Sequence, residues 1–413
     1  MSIKKPQLVV IGNGMAGMRT VEELISAAPD HYDITVFGVE PQGNYNRVLL
    51  SAVRSGEKKV EEIIIHDRDW YHRNQIRLEV GVGKAVTEIK RGMSQVICQD
   101  GSVTPFDRLL IATGSRPLMP DLPGIHLKGV MGFRNLRDVE TMLHYSLHHS
   151  RAIVLGGGLL GLEAAHGLAQ RGMSVTVLHN HAKLLNKQLD GPAAAFLKRQ
   201  LEDKGIMFEM AVQLTKIHGD SNAHVHRVQL HDGRELPCDL LICAIGIRPE
   251  IQLAKDAGLY CERGIVVNDT LQTYDPSIYA VGECIQHRGE TFGLVAPLYE
   301  QARICANHLA AHGMGKYKTP PLATQLKVSG IDLFSVGDFH GDESCELLEF
   351  NDPALGVYKK VVIKNKQLLG AVLYGDTANA RWYQQLIDQQ ADISGLRQQL
   401  LFGQSSIVAA YSH

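Results

Sequence analysis

Two glycine fingerprints constrain this chain more than any other feature. Leu8-Val-Val-Ile-Gly-Asn-Gly-Met-Ala-Gly17 and Arg151-Ala-Ile-Val-Leu-Gly-Gly-Gly-Leu-Leu-Gly161 each lead from an apolar strand through GxGxxG into a helix. The first uses Gly12, Gly14 and Gly17; the second uses Gly156, Gly158 and Gly161. In such a motif the first glycine makes the tight turn. The second lets the backbone approach a pyrophosphate, and the third lets the helix pack on the strand. The helix N-terminus offers free N–H groups and the positive end of its dipole. One fingerprint is weak evidence, because glycines cluster in many turns. Two of them, about 144 residues apart, imply two dinucleotide-binding domains in one chain. One would hold a bound flavin and the other a diffusible nicotinamide. The expected fold class is α/β: two Rossmann-like domains plus a smaller C-terminal α/β domain.

The strands that follow the fingerprints end differently. Residues 33–39 lead into Glu40, an acid able to bond ribose hydroxyls. Residues 174–178 lead into His179-Asn180-His181, with no acid. Arg47, in the loop beyond Glu40, can place a guanidinium on a phosphate or a flavin oxygen; a plain surface arginine is the alternative. Residues 109–112 read as a short buried strand ending at Thr113-Gly114, where small residues admit a cofactor. Pro117, Pro120 and Pro123 read as a linker between domains. A strand at 240–244 meets Gly246-Ile-Arg-Pro249, read as a turn over the nicotinamide side. Another short strand ends at Gly282-Glu283, where the acid can bond a ribityl hydroxyl. A helix beginning near 294–302 can aim its N-terminus at the flavin ring.

Composition excludes several classes. The chain of 413 residues is 45% hydrophobic and 21% charged, as in ordinary globular proteins with two or three domains. A formal net charge of -2 points to neither nucleic acid nor an anionic membrane. No apolar run reaches the roughly 18 residues of a transmembrane helix, and residues 1–6 read as a short polar lead, not a signal peptide. Seven cysteines, at 98, 238, 243, 261, 284, 305 and 345, form no CxxC pair and suit a reduced, cytoplasmic setting. No metal site is expected.

Other stretches carry structural expectations. Residues 76–80 and 82–89 alternate as strands, and 94–98 with the turn Asp100-Gly101 complete a β-meander. Residues 188–204 read as a helix. In the last part, 325–336 reads as a strand, 357–363 and 368–373 as a hairpin, and 377–389 and 393–401 as two terminal helices. His287 and His308 read as structural or exposed histidines. The expected domains are 1–117 with 245–316, 118–244, and 317–413.

As a set, Gly12–Gly17, Asn44-Tyr-Asn-Arg47, Ala112-Thr-Gly-Ser115, 156–163, Gln188-Leu-Asp190, Gly246-Ile-Arg-Pro249 and 278–283 span almost the whole chain. The sequence resembles the two-dinucleotide-domain flavoproteins related to glutathione reductase. Residues 293–301 and Gly370-Ala-Val-Leu-Tyr-Gly-Asp376 narrow the resemblance to the FAD- and NAD(P)H-binding part of assimilatory nitrite reductase large subunits, with rubredoxin and ferredoxin reductases nearby. It implies FAD on Gly12, Gly14, Ala16, Gly17, Glu40, Arg47, Val86, Thr113, Gly114, Arg116, Gly282, Glu283, Pro297 and Tyr299. It implies NAD(P)H on Gly156, Gly158, Leu159, Leu160, Gly161, Glu163, His179 and Gly246, with Glu163 fixing the nicotinamide. A first-turn helix acid is the alternative reading of Glu163. Residues 41–60 lack the cysteine pair of the disulfide-reductase branch, which argues against a thiol mechanism. Ala52 stands where rubredoxin and ferredoxin reductases often carry lysine.

The implied reaction passes electrons from NAD(P)H through FAD to a separate redox protein, an iron–sulfur, molybdenum or haem protein of nitrate or nitrite reduction. A rubredoxin or ferredoxin reductase, an oxidase or peroxidase, and a low-turnover NADH sensor are the alternatives. The acceptor would dock beside the C-terminal domain, with Lys359, Lys360, Lys364 and Lys366 as a candidate patch and a solvated hairpin as the plain alternative. Weak discrimination between NADH and NADPH is expected, with some lean to NADH, and lower pH should improve NADPH use by protonating His179 or His181. A homodimer is left open.

Overall fold

The computed structural model describes residues 5–313, 315–319, 323–328, 330–397 and 399–404. Its contacts group residues 1–117 with 247–320, and residues 118–246 with 321–413.

In the first unit, strand Gln7–Ile11 sits at the centre of a five-stranded parallel sheet. Asp33–Gly38 and Arg77–Val80 lie on one side of it, and Arg108–Ile111 and Ile278–Ala280 on the other. Strands covered on both faces must be apolar throughout, and Leu8, Val9, Val10, Leu109, Leu110, Ile111 and Ile278 are buried. Helices Met15–Ala27 and Val295–Leu309 pack on each other. A separate antiparallel meander comprises Val86–Lys90, Gln95–Cys98 and Val103–Pro105. Residues 77–80, expected beside the meander, instead form an edge of the parallel sheet.

The second unit repeats the plan. Arg151–Leu155 is central in a parallel sheet ordered Val130–Gly132, Leu240–Cys243, Arg151–Leu155, Ser174–His179, Ile206–Met210. An antiparallel meander of Leu214–Gly219, Val225–Leu230 and Glu235–Pro237 accompanies it. Helix Gly191–Glu202 begins later than expected, because Asp190 caps it by accepting from the Ala193 N–H at 3.2 Å and a proline fills its first turn. Residues 247–249 are not a turn. They form a strand paired antiparallel with Ser115–Pro117 in the first unit.

The C-terminal sheet is antiparallel and five-stranded, with its own core around Phe334, Val361, Leu373 and Tyr383. The single strand expected over 325–336 is two strands, Ala323–Val328 and Ile331–Gly337, with Gly330 at φ +88 between them. The hairpin Val357–Lys364/Gln367–Tyr374 forms as expected. Asn365 and Lys366 both take positive φ, as a two-residue primed turn requires. Of the two terminal helices Ala380–Asp388 is an α-helix; the described residues 393–397 and 399–401 hold turns and the start of a short 3-10 segment, Leu400–Phe402.

The lysine patch does not exist as drawn. Lys359 is only 7% exposed and pairs with Asp376 at 2.6 Å; Lys360 is 8% exposed and lies 3.8 Å from Asp190. Lys364 pairs with Asp342 at 2.7 Å. Period-two alternation would put one of two adjacent lysines outward, but this strand is covered on both faces.

Candidate functional site

Both glycine loops have the same steric signature. Gly12 has φ +117, and a Cβ there would stand 2.1 Å from the Ala112 carbonyl oxygen. Gly156 has φ +120, with the Ala244 oxygen 2.4 Å from a Cβ. At Gly17 a Cβ would meet the Gly12 oxygen at 2.7 Å; at Gly161 it would meet the Gly156 oxygen at 2.0 Å. Gly14 and Gly158 differ from these: no atom lies within 4 Å of a Cβ built on either. Each begins a helix with neither a side-chain cap nor a first-turn acid. Open space, free N–H donors and a positive dipole end together make a cradle for a diphosphate. Ala16 is buried in the first turn of the first helix, and Leu159 and Leu160 open the second. The residues present therefore fit two dinucleotides.

In the first unit the expected residues gather at the carboxyl ends of parallel strands, where this architecture binds ligands. Glu40 follows Asp33–Gly38. Its carboxylate accepts the Tyr45 hydroxyl at 2.6 Å and pairs with Arg47. The Arg47 guanidinium lies 4.9 Å over the Tyr45 ring. Burial opposes its charge, but Tyr45, Glu40 and Glu283 outweigh this and raise its pKa. Thr113 and Gly114 follow Arg108–Ile111, with the Thr113 hydroxyl donating to the Glu250 carbonyl at 2.6 Å. Gly282 and Glu283 follow Ile278–Ala280, and Glu283 accepts the Ser115 hydroxyl at 2.8 Å. Arg116 is more exposed and lies 3.7 Å from Glu250. Pro297 and Tyr299 occupy the N-terminal turns of Val295–Leu309, with Arg19 over the Tyr299 ring. Val86 is not part of this row; it opens the meander, half-buried against the core.

In the second unit Glu163 is half-buried in helix Leu159–Gln170, beyond its first turn, so the reading of it as a first-turn acid does not hold. Gly246 takes φ +133, and its carbonyl accepts the Leu118 N–H at 2.9 Å. His179 is buried with both ring nitrogens engaged. Nδ1 accepts the Gly157 N–H at 3.1 Å, and Nε2 donates to the Lys183 carbonyl at 3.1 Å. The ring clasps the glycine loop. Asn180, His181 and Lys183 are exposed beside it.

This clasp gives the second loop a pH dependence of its own. Burial, then His181, push the His179 pKa below its ordinary 6.5, while the Lys183 carbonyl raises it. The neutral ring is the one that can accept from Gly157. Its contribution is complete above about pH 6.5 and is lost as pH falls through the lowered folded value. Affinity for NADH should fall as the pH drops below about 6.5 and through that lowered value. A His179→Asn variant, whose amide oxygen can accept the same N–H, should flatten that dependence. Nucleotide titrations at several pH values check this, and a fall of equal steepness in the variant would refute it.

Several contributors stand outside the residues expected to bind the cofactors. Gln301 is fully buried, and its amide oxygen accepts the Gly282 N–H at 2.9 Å. Asn13, Asn44 and Tyr71 bond one another behind the first loop. None of the seven cysteines is in a disulfide. Burial raises the Cys284 thiol to about 11 and the Cys238 and Cys243 thiols to about 12, so none of these three is poised as a thiolate. Among the described residues no three His, Cys, Asp or Glu side chains group as a metal site, and no helix is long and apolar enough to cross a membrane.

Two dinucleotide folds with matched cradles define an α/β protein with two nucleotide sites, one in each unit. Residues 6–308 match the pyridine nucleotide-disulphide oxidoreductase family model, and residues 322–391 match the rubredoxin NAD+ reductase C-terminal domain. The chain belongs to the pyridine nucleotide-disulphide oxidoreductase family. It is an NAD(P)H-dependent oxidoreductase of the FAD-binding kind. It is 44% identical over 390 residues to a nitrite reductase [NAD(P)H] of Bacillus subtilis (strain 168), covering 94% of this chain and 48% of that protein. It is 40% identical over 404 residues to the assimilatory nitrate reductase electron transfer subunit of the same organism, covering 98% and 52%. The chain thus spans about half the length of these curated relatives. Among solved structures, the covalent putidaredoxin reductase-putidaredoxin complex is similar over 100% of both chains, with a TM-score of 0.85 and 26% identity.

Proposed function

We propose that this protein takes electrons from NAD(P)H and delivers them, by way of FAD, to a separate redox protein of nitrate or nitrite reduction. The observation that carries the reading is the pair of open-glycine cradles in one chain, joined to relatives named for those reactions. When bound, the flavin accepts hydride from the nicotinamide and releases electrons singly or in pairs. The chain's residues supply the rest. The N–H groups at Gly14 and Gly158 bind diphosphate. Glu40, held by Tyr45 and Arg47, bonds ribose, and Arg47 faces negative charge. Glu163 orients the nicotinamide. The acceptor is an iron–sulfur, molybdenum or haem protein in the cytoplasm, met by this chain alone or as a homodimer.

A rubredoxin or ferredoxin reductase is the second reading, favoured by the match over residues 322–391. The test is anaerobic. NADH and NADPH are added to FAD-loaded protein, flavin bleaching is followed, and a nitrite or nitrate reductase component, a rubredoxin and a dye are then offered in turn. Rapid bleaching and selective reoxidation by the first acceptor support the proposal. Selective reoxidation by rubredoxin supports the second reading. Bleaching without reoxidation by any acceptor marks a low-turnover sensor.

A further inference from the structure

In both loops the carbonyl before the open glycine is tied down. In the second unit the Gly157 oxygen accepts the backbone N–H of Leu185 at 3.0 Å. In the first unit the tie is a side chain: the Asn13 oxygen accepts Nδ2 of Asn44 at 3.2 Å. Asn44 is 1% exposed, and its own N–H donates to the Tyr71 hydroxyl at 3.2 Å. That hydroxyl donates to Oδ1 of Asn13 at 2.6 Å, and Nδ2 of Asn13 donates to the Gln42 carbonyl at 3.3 Å. Tyr71 is 2% exposed, and burial lifts its pKa to about 12, so the hydroxyl stays protonated as a donor. A peptide unit is planar and trans, so its C=O and N–H point in opposite directions. Anchoring the Asn13 oxygen therefore fixes where the Gly14 N–H points, and Gly14 is the glycine that faces open space.

We infer that Asn44 and Tyr71 are positioning residues that aim the Gly14 N–H at the diphosphate of the dinucleotide in the first unit, and so set how tightly that dinucleotide is retained. The second loop is anchored by main chain and by His179. The first is anchored by a closed set of three side chains, which suits a cofactor that stays bound against one that exchanges. This inference rests on the FAD reading of the first unit.

The test measures FAD dissociation constants by flavin fluorescence for the wild-type protein, Tyr71→Phe and Asn44→Ala. Tyr71→Phe keeps the buried ring and removes only the hydroxyl. The dissociation constant should rise on the order of tenfold in Tyr71→Phe and more in Asn44→Ala. With FAD in excess, turnover and the KM for NAD(P)H should return to wild-type values. Wild-type affinity for FAD in Tyr71→Phe would overturn the inference. So would turnover that stays low at saturating FAD, since the residues would then support the fold at large. A wild-type protein that takes up no FAD would refute the underlying reading instead. Should Asn44→Ala fail to fold, Tyr71→Phe decides alone.

Discussion

Asp190→Ala should destabilise the second unit by on the order of 3–5 kcal/mol, the loss expected when one partner leaves a buried ion pair. Asp190 is 6% exposed and serves three partners. One carboxylate oxygen caps helix Gly191–Glu202. The other accepts the Tyr358 hydroxyl at 2.7 Å and lies 3.8 Å from the Lys360 ammonium. Tyr358 and Lys360 belong to the C-terminal sheet, so this carboxylate joins that sheet to the second dinucleotide fold. Burial first, and then Asp190, hold the Tyr358 hydroxyl in its protonated form. Without Asp190, an ammonium and a hydroxyl stay buried with a lost partner and the helix loses its cap. Asp190→Asn keeps the cap and the hydroxyl's acceptor, so it should cost less. Adding Lys360→Met to Asp190→Asn should recover much of the loss, because a buried pair replaced by apolar groups is often neutral. Urea unfolding of the wild type, Asp190→Asn, Lys360→Met and the double variant checks the cycle. Strict additivity would mean that Asp190 and Lys360 do not interact.

The fold was legible where the backbone itself set the requirement. Glycine spacing marked both strand–turn–helix units, because only glycine tolerates φ near +120 with a carbonyl about 2 Å from where a Cβ would be. Apolar runs such as 8–11 and 109–111 marked strands buried on both faces. The hairpin around Asn365-Lys366 was readable from its turn. The C-terminal part was harder. A lysine reads as solvent-exposed, and nothing local says that Lys359 and Lys360 find Asp376 and Asp190, 17 and 170 residues away. Helical periodicity over 393–401 lost to local turns, one of them closed by Asp392 accepting from Ser394. At the site, Glu40 and Arg47 were visible as residue types. Their mutual pairing was not, nor was the anchoring of Gly282 by Gln301, because these are contacts across the fold.

Gly14 and Gly17 lie three residues apart, and substitutions at them should fail in opposite ways. Gly17→Ala puts a Cβ 2.7 Å from the Gly12 oxygen and 2.9 Å from the Ala112 Cβ. Backbone and a buried residue just past the end of a strand cannot yield as a flexible side-chain end would, so the helix must move off the sheet. A cost of about 3 kcal/mol, at the upper end for overpacking, is expected, with loss of cofactor following from loss of fold. Gly14→Ala adds the same atom where nothing lies within 4 Å. Gly14 has φ -90 and ψ -179, extended backbone open to any residue, so the penalty is confined to the weaker helix cap, about 1 kcal/mol or less. The new methyl nevertheless occupies the approach of the diphosphate. Affinity for FAD should fall on the order of a hundredfold, which is about 2.7 kcal/mol. Gly158→Ala and Gly161→Ala should repeat the contrast for NAD(P)H: a folded, flavin-loaded protein with weak nucleotide binding, against a destabilised second unit whose Cβ would stand 2.0 Å from the Gly156 oxygen. Thermal unfolding without cofactor, set beside FAD and NADH titrations, separates the two outcomes. A Gly14→Ala protein that keeps full FAD affinity would show that the diphosphate does not pass over this glycine, and the first loop would then need another ligand.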